Sequence, residues 1–269
     1  MTAAAVLIAA VTMVLALALA MSLAWRIWFQ TRNAGWIDVA WTIAVGATAF
    51  VAAFVPLGAE PRRGALIGAA VAAWTARLAP HLIARTRVRS DDPRYHVLIR
   101  HWGADAPRRM FGVCMVLALC GLPLVLAVWL AAHNATGPLG LRDAVGTAFI
   151  VAGVAGAALA DRQLHRFREH SGGAVCERGL WRYSRHPNYF FEFLVWCAYP
   201  VFAIQMGAPW GWLALAAPLT MYFLLVHVSG IPPVERHMLR TRGDAYEGYI
   251  ARTSAFMPLP LGRSPPPDR

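Results

Sequence analysis

Lysine is absent from this sequence, charged residues are scarce, and cysteine occurs only four times. Charged residues make up 14% of the chain and apolar residues 58%, and the mean hydropathy is +0.47. This balance excludes intrinsic disorder and argues against a water-soluble domain, so we predict an integral membrane protein. Because lysine is absent, all 25 basic residues are arginines, whose guanidiniums bind phosphates in a forked geometry.

Several common site motifs are also missing. The cysteines show no C-x-x-C spacing and lie in or beside apolar runs, so we predict neither a disulfide nor a metal site. No Gly-x-Gly-x-x-Gly run follows a strand-like segment, and no Walker loop occurs. We therefore expect any nucleotide to be held by helices and loops, and we expect no nucleic-acid partner.

Seven apolar stretches are each long enough for a transmembrane helix, which needs about 20 apolar residues. They lie near residues 3–25, 37–57, 64–83, 110–132, 144–160, 189–208 and 209–229. We therefore predict an all-α, polytopic membrane protein with seven spans. The first stretch has no basic start and no convincing cleavage site, so we expect it to be a retained helix.

The predicted organisation is one integral membrane domain over residues 1–269. We expect the helices of residues 1–132 to form an apolar substrate cavity and residues 145–260 to form a region with the cofactor pocket. There is no internal repeat, which argues against the two-half architecture of many secondary transporters.

Ionisable residues within the predicted spans are costly and usually functional, and three of them are informative. Asp38 begins the second span, Arg77 lies in the third, and Glu192 lies one turn into the sixth. Arg77 could instead snorkel to the interface, and Asp38 could instead cap its helix. Glu192 needs partners if it is buried, and the segment before it can supply them.

That segment, residues 179–192, reads GLWRYSRHPNYFFE. Pro187 near the first helical position, with Ser184 or His186 as a cap, would start the sixth span. Asn188 and Glu192 then lie on one helical face, near a helix N-terminus that favours anions. A basic segment that grips anionic lipid is the alternative, but it does not explain the Asn, Tyr, Glu and His residues gathered there.

Upstream, Asp161, His165 and Arg168 form one stripe on a helix that leaves the fifth span. The stripe could be a surface ion-pair network. Combined with residues 179–192, it predicts the walls of a pocket. Guanidiniums would bind phosphates there, and carboxylates or amides would bind ribose hydroxyls and a carboxamide.

Together with the run Y-x-x-Y-x-x-x-T-S-x-F-x-P at 246–258, these motifs resemble the C-terminal domain of the steroid 5α-reductase family, in particular its bacterial members. The resemblance covers residues 145–260. It implies NADPH-dependent reduction of the carbon–carbon double bond of a 3-oxo-Δ4 steroid, with an apolar steroid or lipid substrate arriving from the bilayer.

The resemblance also implies roles for single residues. It places NADPH contacts at Asp161, Arg168, Asn188 and Glu192, with Arg185, His186 and Tyr189 nearby. The same motifs and the Glu-Arg-His run after the seventh span add His165, Tyr183 and Arg236 as candidates.

The candidate catalytic residues are Asp38 and Trp74. A neutral Asp38 would polarise the substrate carbonyl, because burial favours the protonated carboxyl. The Trp74 indole N–H would be a second donor, and Tyr95 could substitute for it. The chain departs from the family pattern here, because the family carries Glu and Tyr at these positions. It also has Phe191 where family members commonly have Gly.

The main alternative is a membrane methyltransferase that uses S-adenosylmethionine, of the isoprenylcysteine methyltransferase type. Those enzymes share an Arg-His-Pro-x-Tyr segment before a helical hairpin and a Glu-rich stretch after it, and Glu235 occupies that later place. The arginine surplus favours a cofactor that carries phosphates. A third interpretation, a lipid-binding or channel protein, gives no reason for the pocket residues.

The arginines predict the orientation of the chain, because cytoplasmic loops collect positive charge. Of the 25 arginines, 21 fall on one predicted side, 3 fall on the other, and Arg77 lies inside a span. We expect the N-terminus outside and the C-terminus in the cytoplasm of a bacterial inner membrane, with the cofactor site facing the cytoplasm. Reporter fusions at both termini test this orientation. A result that places both termini on the same side of the membrane would contradict it.

Overall fold

The computed structural model describes residues 1–55, 61–88, 93–133 and 138–260. It is 84% helix, and the described residues contain no strand, which confirms the all-α class. Leu57, where the second span was predicted to end, lies outside the described residues, as do Arg89, Arg263 and Arg269. The helices are α1 (Ala3–Thr31), α2 (Gly35–Ala52), α3 (Pro61–Val88), α4 (Pro93–Trp102), α5 (Ala106–His133), α6 (Leu141–His170), α7 (Pro187–Ala203), α8 (Ala216–Phe223), α9 (Ile231–Arg242) and α10 (Asp244–Arg252).

Six helical stretches of the described chain are long and apolar enough to cross a membrane, which supports an integral membrane protein. They are Ala3–Thr31, Gly35–Ala52, Pro61–Val88, Leu98–His133, Leu141–His170 and Pro209–Arg242. The predicted span 189–208 corresponds to α7, which has only 17 residues because a turn with Gly207 at a φ of 83° follows it. The count of seven is therefore not confirmed, and the orientation of the termini stays a prediction.

The chain divides into two compact units. Unit 1 contains Met1–Ala148 and Trp196–Thr220, and unit 2 contains Phe149–Val195 and Met221–Arg269. The chain therefore passes from one unit to the other three times, within α6, within α7 and within α8.

In unit 1, α1 packs against α5 and α2, and α2 packs against α3. The buried stripe of α1 includes Leu17, Met21 and Trp28, while apolar residues such as Ile8 and Leu19 on its other side are 66% and 67% exposed. Large apolar side chains facing outward from a long helix suit contact with lipid rather than water.

Tryptophan indoles join helices of unit 1 through backbone carbonyls. The Trp25 Nε1–H donates to the Pro107 carbonyl at 2.8 Å, and the Trp41 Nε1–H donates to the Leu117 carbonyl at 2.9 Å. Each bond satisfies a polar N–H that apolar surroundings would otherwise leave without a partner. These contacts attach α1 and α2 to α5.

A buried ion pair joins α3 to α6 within unit 1. The Arg63 guanidinium is 1% exposed and pairs with both carboxylate oxygens of Asp143, with Nη2 to Oδ2 at 3.3 Å. Asp143 Oδ2 also accepts a hydrogen bond from the Gly140 backbone N–H at 2.8 Å. The sequence places both residues on the predicted outer side, but it gives no sign that they are partners.

Removal of one partner should leave the other as an uncompensated buried charge. We expect Asp143→Leu to lower the free energy of unfolding by about 3 to 5 kcal/mol, measured by denaturation in mixed micelles. The double variant Arg63→Met with Asp143→Leu should recover most of that loss. Arg62→Met, which removes an exposed arginine beside the pair, is the control. An Asp143→Leu protein as stable as this control would contradict the prediction.

Candidate functional site

The candidate site is built in unit 2, around the segment between α6 and α7. A short 3-10 helix, Gly179–Arg182, precedes Ser184, Arg185 and His186, and α7 begins at Pro187. The His186 carbonyl accepts the first backbone hydrogen bonds of α7, and the Ser184 hydroxyl accepts one from the His186 N–H at 3.1 Å. The predicted start of this helix is therefore confirmed.

One carboxylate oxygen organises this segment. Glu235 Oε1, on α9, accepts hydrogen bonds from the Arg185 Nε–H at 2.7 Å and from His186 Nε2 at 3.1 Å. The Arg185 and His186 side chains are only 9% and 5% exposed. Because a shared oxygen fixes both donors, the orientations of the guanidinium and the imidazole depend on each other.

Burial of His186 favours its neutral imidazole. Burial lowers the pKa of His186 below its usual value, although the Glu235 hydrogen bond acts in the opposite direction. The ring stacks on Tyr189, with centroids 5.4 Å apart and planes 8° from parallel. A neutral ring that donates from Nε2 keeps Nδ1 as an acceptor.

The Arg185 guanidinium also binds the backbone of residues 250–254. Arg185 Nη1 donates to the carbonyls of Ile250, at 3.3 Å, and Thr253. The Arg185 backbone N–H donates to the Ser254 carbonyl at 2.8 Å. Through these bonds and its bond to Glu235, Arg185 joins residues 250–254 and α9 to the start of α7. The sequence analysis assigned Arg185 to the cofactor and did not anticipate this structural role.

Residues 246–259 complete a clamp around residues 179–186. The Tyr249 hydroxyl donates to the carbonyls of Trp181 and Ser184, and the Ser184 hydroxyl donates to the Phe256 carbonyl at 2.9 Å. Burial raises the pKa of Tyr249 well above its usual range, so the phenol stays protonated and remains a donor. The two runs that carried the sequence resemblance therefore contact each other directly.

A hydrogen bond between two side chains joins α6 to α7. The Asn188 Nδ2–H donates to Asp161 Oδ1 at 3.1 Å. Asn188 Oδ1 is buried and has no hydrogen-bond partner among the described residues. Glu192 follows one turn later on the same helix and is only 7% exposed. An unpaired buried amide oxygen next to a carboxylate is a polar acceptor available to a ligand.

Phe191, which replaces the glycine of the family pattern, fits against a glycine of α6. A Cβ atom added to Gly156 would come within 2.3 Å of the Phe191 ring. Only a residue without a side chain leaves this space, so the departure at Phe191 is accommodated by close packing of α6 on α7.

The remaining cofactor candidates of unit 2 lie at its surface. His165 is 77% exposed and pairs with Glu169 at 3.4 Å, and the Tyr183 residue is 44% exposed. Arg168 and Arg236 are also exposed. The candidates therefore range from buried (Arg185, His186 and Glu192) through half-buried (Asp161, Asn188 and Tyr189) to this exposed group.

The two catalytic candidates belong to unit 1. Asp38 lies in the first turn of α2, and its Oδ2 lies 3.3 Å from Arg85 Nη2. Trp74 is 1% exposed and packs edge-on against Trp196, with ring centroids 5.0 Å apart. Tyr95 is also buried. The sequence did not indicate Arg85 as a neighbour of Asp38.

The chain belongs to a protein family described as a protein of unknown function, DUF1295, whose model matches residues 24–253. This family is related to steroid 5α-reductase-like proteins. No curated protein and no solved structure matches the chain.

Loss of the Glu235 charge should open the clamp. We expect Glu235→Gln to lower the free energy of unfolding by about 2 to 3 kcal/mol, the scale of hydrogen bonds to charged groups. Trypsin should also cleave faster after Arg252, whose guanidinium pairs with Glu177 at 2.6 Å inside the clamp. Denaturation and timed digestion measure the two effects.

Glu247→Gln is the matched control, because Glu247 is an exposed glutamate on α10. It should change neither the free energy of unfolding nor the cleavage rate. Equal behaviour of the two variants would show that the clamp does not depend on Glu235.

Proposed function

We propose that the protein is an NADPH-dependent oxidoreductase that reduces the carbon–carbon double bond of an enone lipid, a 3-oxo-Δ4 steroid or a compound like it. The observation that carries this proposal is the buried Asn188 Oδ1, which has no hydrogen-bond partner within the described part of the chain and lies beside Asp161 in unit 2. Family membership adds support, because DUF1295 is related to steroid 5α-reductase-like proteins.

The Asn188 amide suits a nicotinamide carboxamide. Its Oδ1 can accept a hydrogen bond from a carboxamide NH2, while Nδ2 stays fixed by Asp161. Glu192, one turn further along α7, offers a second acceptor in the same part of the helix. Two acceptors in fixed positions would decide which face of the nicotinamide ring is turned towards the substrate.

Phosphate groups would be bound by the exposed arginines of unit 2. Arg185 is committed to Glu235 and to backbone carbonyls, so its guanidinium serves the fold of the site. Arg168 and Arg236 are exposed and carry the charge and forked geometry that phosphates need. We assign the 2′-phosphate to Arg168.

The reduction also needs a donor to the substrate carbonyl, where negative charge develops. NADPH, when bound, supplies the hydride. Asp38 is the proposed donor, with Trp74 as the second. The Arg85 Nη2–H donates to Asp38 Oδ2 at 3.3 Å, and an ionised carboxyl only accepts hydrogen bonds, so Asp38 can serve as the donor only when it is protonated. Arg85 is therefore a further donor that can stabilise charge there.

A methyltransferase that uses S-adenosylmethionine is the second candidate. It is favoured by the direct contact of Glu235 with Arg185 and His186, because these residues belong to the two motifs on which that interpretation depends. It gives no role to the exposed arginines, since S-adenosylmethionine carries no phosphate.

Titration of the purified full chain with NADPH, NADH and S-adenosylmethionine separates the candidates. We expect NADPH to bind most tightly. Arg168→Ala should weaken NADPH about tenfold or more and NADH much less, because a charge-assisted contact contributes about 1.5 to 3 kcal/mol. Asn188→Ala should weaken both nicotinamide cofactors alike.

Arg26→Ala and Gln205→Ala are the matched controls, since they remove an exposed guanidinium and an amide from unit 1. Neither should change NADPH binding. If Arg168→Ala weakened the binding of NADPH and NADH equally, Arg168 would not be the contact of the 2′-phosphate. Binding of S-adenosylmethionine without either nicotinamide cofactor would replace the reductase by the methyltransferase.

A further inference from the structure

Unit 1 contains an apolar groove that the proposed reaction does not use. It has a volume of about 450 Å³, within the range of about 300 to 1,000 Å³ typical of small-molecule sites. Its walls come from α7 and from the chain that follows, with one arginine at the rim. The lining residues are Arg142, Cys197, Pro200, Val201, Ile204, Leu215 and Pro218.

Arg142 is the only charged residue of this lining. Its Nη1–H donates to the Ile204 carbonyl at 2.6 Å, which holds the guanidinium at the end of α7. No other hydrogen bond or ion pair of Arg142 exists among the described residues. The next residue, Asp143, is committed to Arg63. The charge of Arg142 and its other N–H donors are therefore available to a ligand.

The position of the groove along the chain indicates its place in a bilayer. Arg142 is the second residue of the candidate span Leu141–His170, and the candidate span Pro209–Arg242 begins soon after Ile204. Span ends lie near the membrane–water interface, where exposed tryptophans such as Trp212, 56% exposed, are enriched. From Ile204 the groove follows α7 inward to Cys197, about 10 Å at about 1.5 Å per residue.

A cation at the interface above an apolar channel matches one class of molecule. A phospholipid carries its phosphate at the interface and its acyl chain in the apolar layer below. A soluble anion would leave the apolar walls uncovered, and a zwitterionic lipid would bring a second cation beside the guanidinium and no net counter-charge.

We propose that this groove binds an anionic phospholipid, with one acyl chain against Val201 and Leu215 and the headgroup phosphate on Arg142. All the lining residues belong to unit 1, and the proposal does not depend on the reductase assignment.

Native mass spectrometry of the detergent-purified full chain tests the proposal. The probes are dioleoylphosphatidylglycerol, dioleoylphosphatidylcholine and glycerol phosphate. We expect one phosphatidylglycerol to be retained in preference to phosphatidylcholine, and glycerol phosphate not to be retained. Arg142→Gln should weaken this retention about tenfold, the effect of one charge-assisted contact.

Matched variants distinguish lipid binding in this groove from general effects of a substitution on the protein. Arg62→Gln removes an exposed arginine of the same predicted side and should retain the lipid like the wild type. Val201→Trp fills the groove and should abolish retention even if Arg142→Gln fails to fold. Leu219→Trp, at a 67% exposed position outside the lining, should not change retention.

Several results from the phospholipid probes and the variants would overturn the proposal. These are equal retention of the two phospholipids, unchanged retention in Val201→Trp, and equal losses in Arg142→Gln and Arg62→Gln. Retention of glycerol phosphate would show that Arg142 binds a soluble anion, and it would also overturn the lipid assignment.

Discussion

Unit 2 depends on one carboxylate oxygen. Glu235 Oε1 holds the Arg185 guanidinium at 2.7 Å and the His186 imidazole at 3.1 Å, and Arg185 in turn holds the backbone of residues 250–254. A buried guanidinium is tolerated only when its charge and its donors are satisfied, so these contacts stand or fall together. The position of Asn188 follows from them, because His186 immediately precedes α7 and starts its hydrogen-bond ladder.

Local features of the site could be predicted from the sequence. Pro187 marks the start of α7, and the four-residue spacing places Asn188 and Glu192 on one face, because both rules involve only neighbouring residues. The role of Arg185 could not be predicted in this way. Its partners lie 50 to 68 residues further along the chain, and an arginine that joins segments looks the same in sequence as one that binds phosphate.

The same limit applies to the membrane region. Apolar composition predicted the helices of unit 1, because a long apolar stretch has few alternatives to a helix in a bilayer. The partnership of Arg63 and Asp143 was missed, since the two residues are 80 positions apart and each alone resembles an ordinary interfacial charge. The length of α7 was overestimated because hydropathy continues past Ala203, whereas the backbone turns at Gly207.

The clamp around residues 179–186 has a consequence for biosynthesis. Several of its acceptors are carbonyls of residues 250–256, which the ribosome adds roughly 70 residues after Ser184. The bond from Ser184 to Phe256 spans 72 residues. During synthesis, Arg185 and His186 are therefore added to the chain before any of these partners exists. The clamp can close only after translation has passed residue 256, and a chain stalled before Glu235 would present an unsatisfied guanidinium to quality-control proteases.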